Sequence, residues 1–94
     1  MDDELTPAFF SPLVGTGFSS EFGPFVLDSL TEHAASPGAP RALPFSLMFL
    51  GASTLRLPQQ IYVLQHPTAG ELQLFLVPLG PRADGQQQFE AVFN

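Results

Sequence analysis

The sequence predicts an all-β fold: a small antiparallel barrel or sandwich of about six short strands, preceded by a short N-terminal helical turn. Three observations carry this. Runs of strand length place apolar residues at a period of two, and turns rich in Gly and Pro separate them at fairly regular spacing. The third is a single connection: Pro67-Thr68-Ala69-Gly70 suits a hairpin and is far too short for a parallel crossover.

Residues 1–16 form the N-terminal segment. Thr6 followed by Pro7 reads as an N-cap and first helical position, with Gly15 as the stop. Phe9, Leu13 and Phe10 then fall near one face, and Pro12 limits the helix to one or two turns. Phe18 to Phe22 is a weak strand candidate. Phe25 to Leu30 is a better one, with imperfect alternation. Residues 31–44, rich in Pro, Ala and Ser, read as the longest loop, a surface insertion or else a contact with a partner.

The second half is clearer. Phe45 to Leu50 is a strand with Phe45, Leu47 and Phe49 on one face. Ile61 to His66 and Glu71 to Val77 form the hairpin, the latter strand with one wet face early and both faces buried later. Pro78 cannot donate to a ladder, so it belongs at an edge, a bulge or the strand's end. Gly80 to Gly85 is a loop with an Asp-Gly turn signal, and Gln86 to Phe93 is the last strand. Phe89, Val92 and Phe93 are costly to leave in water, which puts this strand in the core, with Phe45, Phe49, Phe89 and Phe93 at its centre.

Ninety-four residues with 45% hydrophobic content and ten Phe support one ordered domain over residues 1–94. The absence of Cys excludes disulfides, thiolate metal sites and Cys nucleophiles. A net charge of −6 without any Lys argues against nucleic acid as a partner. No apolar run is long enough to span a bilayer, and the start, Met1-Asp2-Asp3-Glu4-Leu5, is unlike a secretory signal. Cytoplasmic synthesis is expected, with inclusion in an exported or surface assembly left open.

Chemistry-bearing constellations are scarce. His33 reads as solvated and His66 as capping a turn carbonyl; no His-x-x-x-His spacing supports a metal. Gly15-Thr16-Gly17 lacks the third Gly of a phosphate loop and reads as a turn. Neither a catalytic residue, nor a metal, nor a cofactor is expected. Tyr62, Phe49, Phe75, Phe89 and Phe93 read as core, or alternatively as the lining of a small-molecule or saccharide pocket. Only 13% of residues are charged, and uncharged amides (Gln59, Gln60, Gln65, Gln73, Gln86, Gln87, Gln88) recur on strands and turns. This points to a surface that meets other protein. Phe9, Phe10, Tyr62, Gln86, Gln87 and Phe93 are the candidate partner contacts.

Several segments occur in a telling order: Pro44-Phe45-Ser46-Leu47, Leu57-Pro58-Gln59-Gln60-Ile61-Tyr62, His66-Pro67, Gly70-Glu71-Leu72, Leu74-Phe75-Leu76-Val77-Pro78 and Phe89-Glu90-Ala91-Val92-Phe93-Asn94. Together with Phe10-Ser11-Pro12-Leu13-Val14-Gly15 they resemble a family of small bacterial single-domain proteins of unassigned function, which commonly end in Tyr- or Phe-Glu-Ala-Val-Phe-Asn. Residues 31–43 are the least alike. Genes of that family sit beside those for phage-tail-collar-like, fibre-type proteins. The resemblance therefore implies a non-enzymatic structural subunit that binds a fibre-type partner or self-associates, and it transfers no catalytic residue.

Overall fold

The computed structural model describes residues 5–33 and 44–93. Helix α1 (Pro7–Phe10) starts where Thr6 Oγ1 accepts the Phe9 N–H at 3.2 Å, and a 3-10 turn (Ser11–Leu13) ends it. Six strands follow: β1 (Gly17–Phe18), β2 (Phe25–Glu32), β3 (Phe45–Gly51), β4 (Gln60–His66), β5 (Gly70–Pro81) and β6 (Gln87–Phe93). Every ladder is antiparallel, in the order β1-β2-β3-β6-β5-β4. An isolated bridge between Ser19 and Gln65 brings the β1 end to β4, so the sheet curls into a nearly closed barrel.

The topology is two three-stranded meanders, β1–β3 and β4–β6. The β3–β6 ladder joins them along seven residue pairs, including Phe45 with Phe93 and Phe49 with Phe89. Phe45 and Phe93 stack at 4.4 Å with their planes 5° apart. Phe25, Leu27, Phe45, Leu47, Phe49, Leu64, Leu76 and Phe89 are essentially without exposure and form the core with Tyr62. Each large side chain contributes roughly 1.5–3 kcal/mol. Phe10 reaches from α1 onto Phe45 (6.1 Å) and Phe93 (5.8 Å), covering the end of the barrel where those two rings stack.

Local deviations from the sequence reading have local causes. The run Phe18 to Phe22 stays paired only through Ser19. The Ser20 hydroxyl donates to Gly23 O (2.7 Å) and accepts from Phe22 N–H (3.1 Å), turning the chain away. Strand β2 continues through Thr31 and Glu32, opposite Ser46 and Phe45, which shortens the loop expected from residue 31; residues 34–43 of that loop lie outside the described residues. The imperfect alternation of β2 is a bulge at Asp28, which has no partner between Leu27 and Ser29. Pro78 lies at a bulge in β5, as expected, and the strand runs on to Pro81. Two burial expectations fail. Phe75 and Val92 point outward and are about half exposed, so late β5 is not buried on both faces and β6 buries Phe89 and Ala91 instead.

The turn between β5 and β6 is tied by Arg82. Its guanidinium donates to Asp84 Oδ2 at 2.7 Å and lies 3.5 Å from Asp28. The Arg82 hydrogen bond, with the Gln86 N–H, holds the Asp84 carboxyl below its usual range. This contribution is in place above the unfolded carboxylate range and is lost as pH falls through the lowered folded value. Next to this turn, Gly51, paired with Gln87, permits a close approach: a Cβ there would lie 2.8 Å from Leu55 Cδ2 and 3.4 Å from the Phe89 ring.

Because Phe49 is wholly buried and Phe75 faces outward, truncation separates them. Phe49→Ala is expected to lower the unfolding free energy by about 3–5 kcal/mol in urea titrations. Phe75→Ala should change it by no more than about 0.5 kcal/mol.

Candidate functional site

The barrel has two seams of unequal strength. Opposite the full β3–β6 ladder, the closure between β1 and β4 rests on one pair: Ser19 N–H to Gln65 O at 2.9 Å and Gln65 N–H to Ser19 O at 2.8 Å. His66 reinforces it. The Nδ1 atom accepts the N–H groups of Thr68 (3.1 Å) and Ala69 (3.2 Å), so the ring proton sits on Nε2 and is donated to Thr16 Oγ1 at 2.9 Å. Thr16 passes the chain of bonds on to Leu13 O at 2.6 Å. His66 thus caps turn N–H groups rather than a turn carbonyl, and it clasps β4 to the segment before β1.

Beyond that bridge the seam is open. In an antiparallel strand alternate residues turn their N–H and C=O groups to opposite edges. Since Gln65 bonds Ser19, the backbone groups of Val63 and Ile61 point into the same seam. The chain that would continue the pairing has turned off at Ser20. Among the described residues nothing bonds Ile61 or Val63 on that side. A groove of about 390 Å³ fills the gap, lined on one wall by Ser19 to Phe22 and on the other by Gln60 to Val63. The Phe22 ring stands edge-on to Tyr62 with centroids 5.5 Å apart. Tyr62 itself is buried, donates its hydroxyl to Pro58 O, and has its pKa raised by that burial.

Beside the open edge lies an apolar outer face. Ile61 (62% exposed) is directly opposite Phe75 (51%), and Val63 (44%) is diagonal to Phe75. Strand β4 reads Gln-Ile-Tyr-Val-Leu-Gln-His, with no Lys, Asp, Glu or Pro to discourage pairing along its edge. The charged residue on the groove wall is negative, and Arg56 and Arg82 are bonded elsewhere. Glu21 lies on the groove wall, Arg56 donates to Ser53 O and Leu55 O, and Arg82 is engaged by Asp28 and Asp84.

The six expected partner contacts are dispersed. Phe10, Tyr62 and Gln87 are buried; Gln87 Nε2 donates to Ser53 O at 3.0 Å. Those three pack the interior or tie down a loop. Phe9 and Phe93 are half-buried at the α1 end, and Gln86 Oε1 accepts from Arg82 in the β5–β6 turn. Only Tyr62 adjoins the groove. Sequence reasoning missed Phe22, Ile61, Val63 and Phe75. The available signal was the strict alternation of β4, which puts Ile61 and Val63 on the face opposite Tyr62 and Leu64.

A second cleft of about 510 Å³ lies between the 55–58 segment and the β5 bulge, with Arg56, Leu57, Pro78 and Phe89 on its walls. No group of three or more His, Asp or Glu among the described residues could hold a metal ion. His33 is exposed and pairs with Ser46 Oγ at 3.1 Å. No helix among the described residues is long and apolar enough to cross a membrane.

A family model described as a domain of unknown function (DUF6916) matches residues 5–93. No curated protein and no solved structure matches the chain.

The seam geometry fixes an alternation in amide exchange. Ile61 and Val63 should exchange at least about tenfold faster than Tyr62 and Leu64, whose amides bond β5, in native-state hydrogen exchange followed by NMR. Removing the clasp with Thr16→Val should cost about 0.5–1.5 kcal/mol in denaturant unfolding while the His66 ring keeps its Nε2 proton, visible in its ¹⁵N shifts.

Proposed function

The chain belongs to this family of unassigned function, and we propose that it is a non-enzymatic assembly module that docks onto a protein partner through the β4 edge and its apolar outer face. The observation that carries this reading is the coincidence of a β4 edge left open at Ile61 and Val63 with three large exposed apolar side chains, Ile61, Val63 and Phe75. Contiguous exposed apolar surface marks sites of association, and covering it is worth on the order of 1 kcal/mol or more for each side chain. An edge without charge or Pro offers ready backbone donors and acceptors.

The partner in this reading is a fibre-type or tail-collar-type protein, or further copies of the same chain, as the family resemblance suggests. The module is made in the cytoplasm and carried into the assembly. Neither nucleic acid nor a membrane is a partner: −6 net charge without Lys disfavours phosphate contacts. A second reading, a small-molecule or saccharide site, is favoured by the 510 Å³ cleft beside Phe89, a volume within the usual range for ligands. It places the ligand between the 55–58 segment and β5, where Arg56 and Pro58 flank it.

Size-exclusion chromatography with light scattering tests the assembly reading, on the protein alone and mixed with a fibre-type protein. Co-elution or self-association is expected, weakened at least about tenfold by Ile61→Ser with Phe75→Ser while the melting temperature is kept. A strictly monomeric protein that ignores that partner overturns the reading.

A further inference from the structure

We infer that the open seam is a strand-addition site, and that its occupant is a single extended, basic segment of a partner chain inserted between β4 and the Ser19–Phe22 wall. This rests on the assembly reading and deepens it. Ile61 and Val63 present two N–H and two C=O groups into the groove, spaced one residue apart, which is the pattern an antiparallel strand completes with four backbone hydrogen bonds.

The shape of the groove decides between occupants. Its far wall is the protein's own chain, Ser19 to Phe22, so the space is bounded on both sides. The edge of a second copy's sheet brings neighbouring strands with it and cannot enter such a slot, whereas one extended chain can. Opposite Ile61 and Val63, the incoming residues would lie on the apolar outer face. The residue between them would meet the Phe22 and Tyr62 rings, so alternate apolar positions are required.

Charge selects the rest of the segment. The groove wall carries Glu21, the chain has a net charge of −6, and Arg56 and Arg82 are already bonded within the protein. A segment with Lys or Arg flanking its apolar positions is attracted; an acidic one is repelled. The protein's own Asp2-Asp3-Glu4 is thereby the wrong chemistry for this slot.

The probe is a synthetic peptide of alternating Val and Thr flanked by two Lys at each end, added to the full chain. Binding measured by fluorescence anisotropy should weaken at least about tenfold when Glu replaces Lys. It should be lost when the peptide amides facing β4 are N-methylated. Hydrogen exchange at Ile61 and Val63 should slow at least about tenfold on saturation while Phe75 is unaffected. Equal binding by the Lys and Glu peptides, indifference to N-methylation, or unchanged exchange at Ile61 and Val63 overturns the inference. Co-elution with the fibre-type protein that leaves both amides exposed also overturns it, yet keeps the assembly reading. Strand addition of the peptide without any co-elution or self-association of the protein sinks the assembly reading instead.

Discussion

The pairing of β3 with β6 is the interaction on which the rest of the structure depends. Residues some forty apart in sequence are brought together there, at the largest loop-closure cost of any ladder, and nothing local holds them. The phenylalanines offset that cost. Phe45 with Phe93 and Phe49 with Phe89 place two aromatic cross-strand pairs in one ladder, and Phe25 and Phe18 add edge-on contacts to Phe89 and Phe49. Without this ladder the chain is two separate three-stranded meanders, each too small to bury a core by itself.

The other seam has no such reinforcement, and the reason is local. Strand β1 has two residues, because Ser20 captures Gly23 O and ends the extended run before it can follow β4. Closure then falls to the Ser19–Gln65 pair and the His66–Thr16 clasp, both at one end of the seam. The result is a barrel zipped along one side and buttoned at a single point on the other. A domain that needed closure only for stability would gain by lengthening β1, since each added pair would satisfy edge groups of β4 that now meet solvent.

Much of this was legible in the residues. The six strands, the Thr6 cap, the β4–β5 hairpin, the position of Pro78 and the Phe45, Phe49, Phe89, Phe93 cluster all follow from period-two patterning and turn chemistry, which act over a few residues. What could not be read is decided by partners distant in sequence. Whether Phe75 is buried depends on which strand covers late β5, and no pattern within β5 reports that. Tyr62 and Gln87 were among the expected partner contacts, Gln87 as one of a run of uncharged amides. In the fold their polar atoms tie down loops, at Pro58 O and Ser53 O, so the side chains are inside. His66 shows the same limit: its place beside a turn was plain, but its second bond, to Thr16 fifty residues away, was not.

The absence of Lys acquires a physical role once the edge is located. Soluble β-proteins commonly guard exposed edges with charge, and Lys is the usual choice because its long stem reaches across the strand while its head stays in water. Strand β4 has no charged residue, and its exposed positions are Gln60, Ile61, Val63 and Gln65. The protein's negative charge is carried elsewhere, at Glu21, Asp28, Glu71, Asp84 and Glu90 among others. That distribution leaves the edge unblocked at short range and favours the approach of a chain of opposite charge.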